Sequence, residues 1–394
     1  MRKLFCSGIF FVFTLCCPAL FSQSLSISQQ ATQLLKSQVI SEGEWALNQM
    51  PLTITSSIAS RSAGGKHDFF SEGDYWWPDP ANPAGPYIQR DGMTNPENFV
   101  AHRKAMIRFS RIMGALASAF LITRDERYAR HAFFHTRAWL MDTATLMNPH
   151  MLYAQAIQGR YTGRGIGIID MIQFMEVAQS LIVLESSNSA KRDEYIVYRK
   201  WFDDYLRWVT LHPYGIDEKN ALNNHGTCWT MQVAAFARFT QNEALLDTCR
   251  IRYKTKHLPD QMAVDGSFPR ELNRTKPYGY SLFNLDAMTM LCQLLTTPTD
   301  NLWQFETSDK KSIQKGISFL FPFVVDKSKW SYKQDVMYWE NWPVAHPFLL
   351  FGGIAFEEQQ YYSAWEKLNH SPEVEEVIRN LPVRHPIIWL AGGR

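Results

Sequence analysis

Apolar side chains recur at steps of three and four along most of this chain, and that spacing is what most limits the folds open to it. Met106, Phe109, Met113, Leu116 and Phe120 fall on one face of a helix. Phe202, Tyr205, Leu206 and Val209 repeat the pattern, as does the run from Met288 to Leu295. The same periodicity predicts helices over 126–141, 166–187, 190–210, 225–240 and 354–368. Short connections marked by Pro, Gly and Asn separate them. Alternating β-branched segments are scarce, so a β-sheet core is excluded. The expectation is an all-α chain of successive helical hairpins. Hairpins about 40 to 50 residues apart suit an (α/α) toroid, an incomplete helical barrel with a central cleft. No Pro/Ser linker or low-complexity run divides residues 24–394, which are read as one domain.

Residues 1–23 read as a secretory signal. Arg2 and Lys3 precede an apolar run from Leu4 to Cys17, then small and polar residues. The run is too short for a comfortable membrane span. A lipidated Cys16 or Cys17 is disfavoured by the bulky Leu15 before them. No later stretch is read as crossing a bilayer, so the chain is expected to be exported, periplasmic or extracellular. Cys228, Cys249 and Cys292 remain after the signal, an odd and widely spaced set that reads as buried thiols.

The chain carries 40 basic and 38 acidic side chains. Removing Arg2 and Lys3 leaves 38 against 38, so attraction to a polyanion has to be local. Residues 250–276 hold Arg250, Arg252, Lys254, Lys256, Arg270, Arg274 and Lys276 against Asp260, Asp265 and Glu271, a cluster suited to focusing an acidic ligand. A nucleic-acid groove would need a larger basic excess. Thirteen Trp and sixteen Tyr favour a carbohydrate cleft instead, because sugar rings stack on aromatic faces.

Two long irregular stretches, 62–96 and 144–165, are expected to line such a cleft. They supply Trp76, Trp77, Tyr87 and Arg90 from the first, and His150, Tyr153, Gln155 and Arg164 from the second, as substrate-binding candidates. The chemistry gathers further on, in Asn223-Asn224-His225-Gly226 and in Asp265-Gly266-Ser267-Phe268-Pro269-Arg270-Glu271-Leu272-Asn273-Arg274 with Tyr280. Eliminating across C4–C5 of an acidic sugar means removing a proton beside a carboxylate, whose charge resists carbanion formation. An Arg fork neutralises that carboxylate, and an Asn amide adds a donor. His or Tyr then removes the C5 proton, and Tyr protonates the leaving oxygen. A Tyr does both if neighbouring cations lower its phenol pKa.

These motifs are similar to those of the alginate lyase superfamily. The resemblance rests on Asn-Asn-His-Gly followed by Trp229, on Asp-Gly-Ser-x-Pro-x-Glu-Leu-x-Arg, and on Tyr280-Ser281-Leu282-Phe283. Trp-Trp-Pro-Asp-Pro and Asn-Pro-His-x-x-Tyr-Ala-Gln extend it over most of the chain. It implies an (α/α)-toroid polysaccharide lyase with Asn224, His225, Arg274 and Tyr280 as catalytic group. The segment from Arg to Tyr is one residue shorter than in the best-known members, which makes Tyr278 a competing choice and a further substrate-binding candidate. The expected substrate is a β-1,4-linked polyuronate, alginate or glucuronan, with no cofactor required and no metal site. Two other readings stay open. A glycoside hydrolase would need a carboxyl pair, for which Asp74, Asp79, Glu271, Asp286 and Glu340 are available. A noncatalytic glycan-binding protein would use Trp76, Trp77 and the basic stretch.

Overall fold

The computed structural model describes residues 25–390; the expected signal segment lies outside the described residues. The helices pack in a ring. Ile27–Leu47 packs on Ala101–Thr123, which packs on Phe174–Leu184, then Asn224–Thr240, Pro277–Leu295 and Pro347–Phe356. This last helix returns to Ile27–Leu47, so the circuit closes on itself. A second set backs it: Glu126–Leu140 on Ala101–Thr123, Arg192–Leu211 and Glu243–Arg252 on Asn224–Thr240, and Ile313–Val325 on Pro277–Leu295.

Composition sorts the two sets. Every residue of Pro277–Leu295 except Gln293 is buried, as suits a helix enclosed on all sides, and its Asn284 and Asp286 are hydrogen-bonded inside. Glu126–Leu140 instead buries Tyr128, Ala129, Ala132, Phe133, Thr136 and Trp139, a stripe at steps of one, three and four. Asp125 starts that helix by accepting from the Arg127 N–H at 2.8 Å. The stripe meets the ring through Trp139, stacked on Phe109 at 4.8 Å, and Phe174 meets Trp139 edge-on at 5.8 Å. Trp139→Ala would cost about 3–5 kcal/mol by emptying that contact.

Several expectations need correction. The helix expected over 354–368 breaks at Glu357, which is left-handed (φ 56°); Pro347–Phe356 and Gln359–Trp365 flank it. The segment expected over 166–187 opens as a 3-10 helix, Gly165–Gln173, before Phe174–Leu184. Ala101–Thr123 and Gly165–Leu184 are long and apolar enough to cross a membrane by composition, contrary to the sequence reading. Their apolar windows are 72% and 83% buried inside the ring, which accounts for that composition. The basic run is divided: Arg250 pairs with Asp247, Lys254 with Asp300, Arg274 with Asp91 and Lys276 with Glu376. It forms no single patch. Cys228, Cys249 and Cys292 are buried and unpaired.

The few strands pin the irregular stretches. Phe70–Glu72 pairs in parallel with Tyr153–Ala156, which ties the two long loops together. Trp76–Trp77 pairs antiparallel with Ile88–Gln89. Gln155 sits at φ 47°, an unusual conformation for a residue with a side chain. Its N–H donates to Ser71 Oγ at 2.9 Å, and Ser71 donates to the buried Asp170.

Candidate active site

The helix Asn224–Thr240 begins at the cleft floor. Asn223 is its cap: the backbone there is extended and the side chain accepts from the His225 N–H at 3.3 Å. That leaves Asn224 free of capping duty. Its backbone N–H and its Nδ2 both donate to Glu271, each at 2.8 Å. One amide hydrogen and the amide oxygen remain for the cleft. Gly226 follows because a Cβ there would lie 2.2 Å from the Ala221 carbonyl oxygen. This close approach brings the preceding helix, Pro213–Asn220, beside His225. Its buried Glu218 meets His225 Nδ1 at 2.8 Å. When the ring is neutral and gives Nδ1–H to Glu218, Nε2 carries the lone pair.

Arg274 and Tyr280 stand on the neighbouring segment. The Arg274 guanidinium lies 4.6 Å from the Tyr280 ring centroid, and Nη2 donates to Asp91 at 3.0 Å. Burial works against ionising Asp91, but Arg274 and the Thr275 hydroxyl hold its carboxyl below the ordinary range. Tyr280 shares a 2.6 Å hydrogen bond with the hydroxyl of Tyr75. Burial, and then the neighbouring Tyr75, push the Tyr280 phenol well up, against the pull of Lys276 and Arg274. The sequence expectation of a phenol lowered by cations is therefore corrected: the resting Tyr280 is a protonated acid.

These side chains meet in one cleft. Asn224, His225, Arg274 and Tyr280 all line it, with Trp76, Gln155 and Arg164 from the long loops. Arg164 donates to the Gln155 carbonyl at 2.8 Å; burial lowers its pKa to about 10. Arg164, Arg274 and Arg379 face Asp74 and Asp91 there, a local excess of one positive charge suited to an anionic ligand. Tyr75, Gln89, Asp91, Arg379 and Asn380 are cleft residues that sequence reasoning missed. Tyr75 and Asp91 sit in the loop already singled out. Glu218 and Arg379 carried no sequence signal, since only folding brings them close.

The remaining candidates do not line this cleft among the described residues. Trp77 donates to the Met93 carbonyl, with Arg90 over its ring at 5.0 Å, so the two brace each other. The Tyr87 carbonyl accepts from Arg160 at 2.7 Å and helps join the loops. His150 is 3.2 Å from Asp68 and packs against Tyr153 and Trp208. Tyr278 is fully buried under Trp330 and Trp339, and its hydroxyl donates to the Phe323 carbonyl at 3.0 Å. Of the two, Tyr280 is therefore the phenol that enters the cleft, beside Tyr75.

The carboxyl groups a hydrolase would use are tied up. Glu271 serves Asn224, Asp286 bonds His346 at 2.7 Å, and Asp74 is held by Arg103 at 2.7 Å and Arg379 at 2.8 Å. Asp79 accepts from the Ala81 N–H in its own loop, and Glu340 is exposed beside Lys327.

The family model for alginate lyase matches residues 53–330. The chain belongs to the alginate lyase family. It is a polysaccharide lyase on a mostly helical toroid. A crystal structure of an alginate lyase from Bacteroides ovatus is 27% identical, covering 92% of this chain and 97% of that one, with a TM-score of 0.78. Alginate lyase A1-III from Sphingomonas species A1 is 12% identical, covering 82% and 88%, with a TM-score of 0.52. A variant of A1-III complexed with a tetrasaccharide is 13% identical, covering 81% and 86%, with a TM-score of 0.51; these two show the shared fold. No curated protein matches the chain. The family match ends at residue 330, whereas the cleft of this chain also includes Arg379 and Asn380.

Proposed function

We propose that this chain is an exported lyase that cleaves a β-1,4-linked polyuronate, polymannuronate or glucuronan, by β-elimination and leaves unsaturated uronate ends. The observation that carries the reading is the meeting of Asn224, His225, Arg274 and Tyr280 in one cleft whose carboxylates are engaged by cations. The apolar run from Leu4 to Cys17 supports export.

The roles follow from what each group has free. Arg274 gives Asp91 one N–H and keeps others for the C5 carboxylate of the sugar, with the second Asn224 amide hydrogen beside it. Their charge and donors make the C5 proton removable. His225 Nε2, backed by Glu218, accepts that proton where it lies on the face opposite O4. Where C5–H and O4 share a face, as in mannuronate and glucuronate, Tyr280 acts as base and then acid once its resting phenol has given up its proton, a loss that Lys276 and Arg274 favour. In either case Tyr280 returns a proton to O4 as the C4–O4 bond breaks. The chain supplies all these groups, so no cofactor is required.

A panel of defined polyuronates tests the reading through the ultraviolet absorbance of the new C4=C5 double bond. Mass spectrometry of the products decides the reaction type. Fragments carrying an added water would establish hydrolysis and overturn the proposal. Binding without chain shortening would establish a glycan-binding protein instead.

A further inference from the structure

We infer that Lys276, held by Glu376 from the helix Glu375–Arg379, is a positioning residue for the proton of Tyr280, which makes the carboxy-terminal segment part of the active site. The inference rests on the lyase reading above and assigns Glu376, outside the family-matched residues 53–330, a role at the site.

The Lys276 side chain is almost wholly buried, 4% exposed. Its Nζ lies 4.9 Å from the Tyr75 ring, 5.3 Å from the Tyr280 ring and 5.3 Å from the Tyr338 ring. Its anionic partner is Glu376 Oε1. Glu376 also takes Arg379 at 3.3 Å, and Arg379 reaches Asp74 at 2.8 Å. An ammonium is a poor choice at this position on structural grounds alone. Lys276 precedes Pro277–Leu295, where the helix dipole disfavours a cation. A buried ion pair is also replaceable by apolar side chains of similar size with little loss of stability. What apolar side chains lack is positive charge beside the two hydrogen-bonded phenols.

That charge matters when Tyr280 acts. Its Oη–H bond breaks and the proton goes to O4 of the departing sugar. The electron pair stays on Oη as phenolate. The C5 proton goes to the base, which is His225 Nε2 or, on the shared face, the Tyr280 phenolate itself beforehand; the C5–H pair becomes the C4=C5 bond, and the C4–O4 pair leaves with O4. Tyr280 faces Tyr75 from the first long loop, Arg274 with its Asp91, Lys276 at its own helix start, and Glu376 and Arg379 from the carboxy-terminal helix. His225, with Glu218 behind it, lines the same cleft. Lys276 stabilises the phenolate and Glu376 limits that effect, so the two oppose each other on one proton.

Phenolate absorbance across the alkaline range, with the Tyr280→Phe form of each variant subtracted, reads the effect without substrate. Glu376→Gln should move the Tyr280 step to lower pH, raising its phenolate about tenfold at a fixed alkaline pH. Lys276→Met should lower it, and should reduce kcat about tenfold with little change in KM, because the charge matters only as the proton leaves. The neutral double variant Lys276→Met/Glu376→Gln should return the step close to its original position, and serves if Lys276→Met alone does not fold. The inference is overturned if Glu376→Gln leaves the step unmoved, or if both single variants shift it the same way. If the shifts occur but no unsaturated product forms, the lyase reading fails and the charge coupling stands.

Discussion

Replacing Tyr280 with Phe tests the role assignment most sharply, because the structure separates its effect on stability from its effect on turnover. The substitution removes one oxygen. The ring stays buried, 9% exposed, with Arg274 stacked on it at 4.6 Å. The stability lost is that of one hydrogen bond, the 2.6 Å contact with Tyr75, about 0.5–1.5 kcal/mol. The Tyr75 phenol is itself strongly desolvated, so losing its partner puts the cost toward the upper end. Turnover should fall by at least about 10²-fold, roughly 2.7 kcal/mol of transition-state stabilisation, the lower range for losing general acid help. The loss should appear in kcat more than in KM, since the proton is given only in the transition state. Unsaturated-end absorbance against time gives the rate, and thermal unfolding gives the stability. Tyr278→Phe is the matched control: its hydroxyl serves the Phe323 carbonyl away from the cleft, so turnover should be kept. A folded Tyr280→Phe protein with near-normal turnover would refute the assignment.

Other expectations follow from the same geometry. Arg274→Lys keeps the charge but loses the fork that serves Asp91 and a substrate carboxylate together, so kcat/KM should drop at least about tenfold; a rate equal to the parent would remove Arg274 from the site. Glu218→Gln leaves His225 without its ionised partner and should slow turnover on substrates whose C5–H faces His225, with melting temperature little changed; equal loss on every substrate would point to a structural role. Burial opposes ionising Glu176, but His385 and Arg384 hold it at about 2 against an ordinary 4.5. The folded state thus binds fewer protons than the unfolded one between those values. This stability is present above the unfolded pKa and is lost as pH falls through about 2. Glu176→Gln should flatten the acid limb of a melting-temperature profile, and an unchanged limb would show that other carboxyls govern it. Gly226→Ala should abolish turnover by pushing the 219–222 segment from its place, readable as lost activity with a lowered melting temperature.

Helical periodicity alone determined the class of fold, because a step of three and four is a local property that survives any arrangement of the helices. It located Glu126–Leu140, Arg192–Leu211 and Asn224–Thr240 to within a few residues. It failed at Glu357, where one left-handed residue splits an apolar run without changing its pattern. The sequence also picked out the proposed reactive set, which the fold brings to one cleft: Asn224 and His225 are adjacent and Arg274 lies six residues before Tyr280. What it left open was direction. Tyr278 and Tyr280 are two steps apart on one helix, so they point to different sides, and only packing against Trp330 and Trp339 decided which phenol enters the cleft. The aromatic loop divides in the same way: Trp76 lines the cleft while Trp77 braces Arg90. Partners far apart in the chain were out of reach altogether. Glu271 beneath Asn224, Asp91 on Arg274 and Glu376 on Lys276 depend on ring closure, which brings residues 47, 183 and 100 positions apart into contact. The ionisation of Tyr280 was decided there too, because burial outweighs the cations that composition alone made prominent.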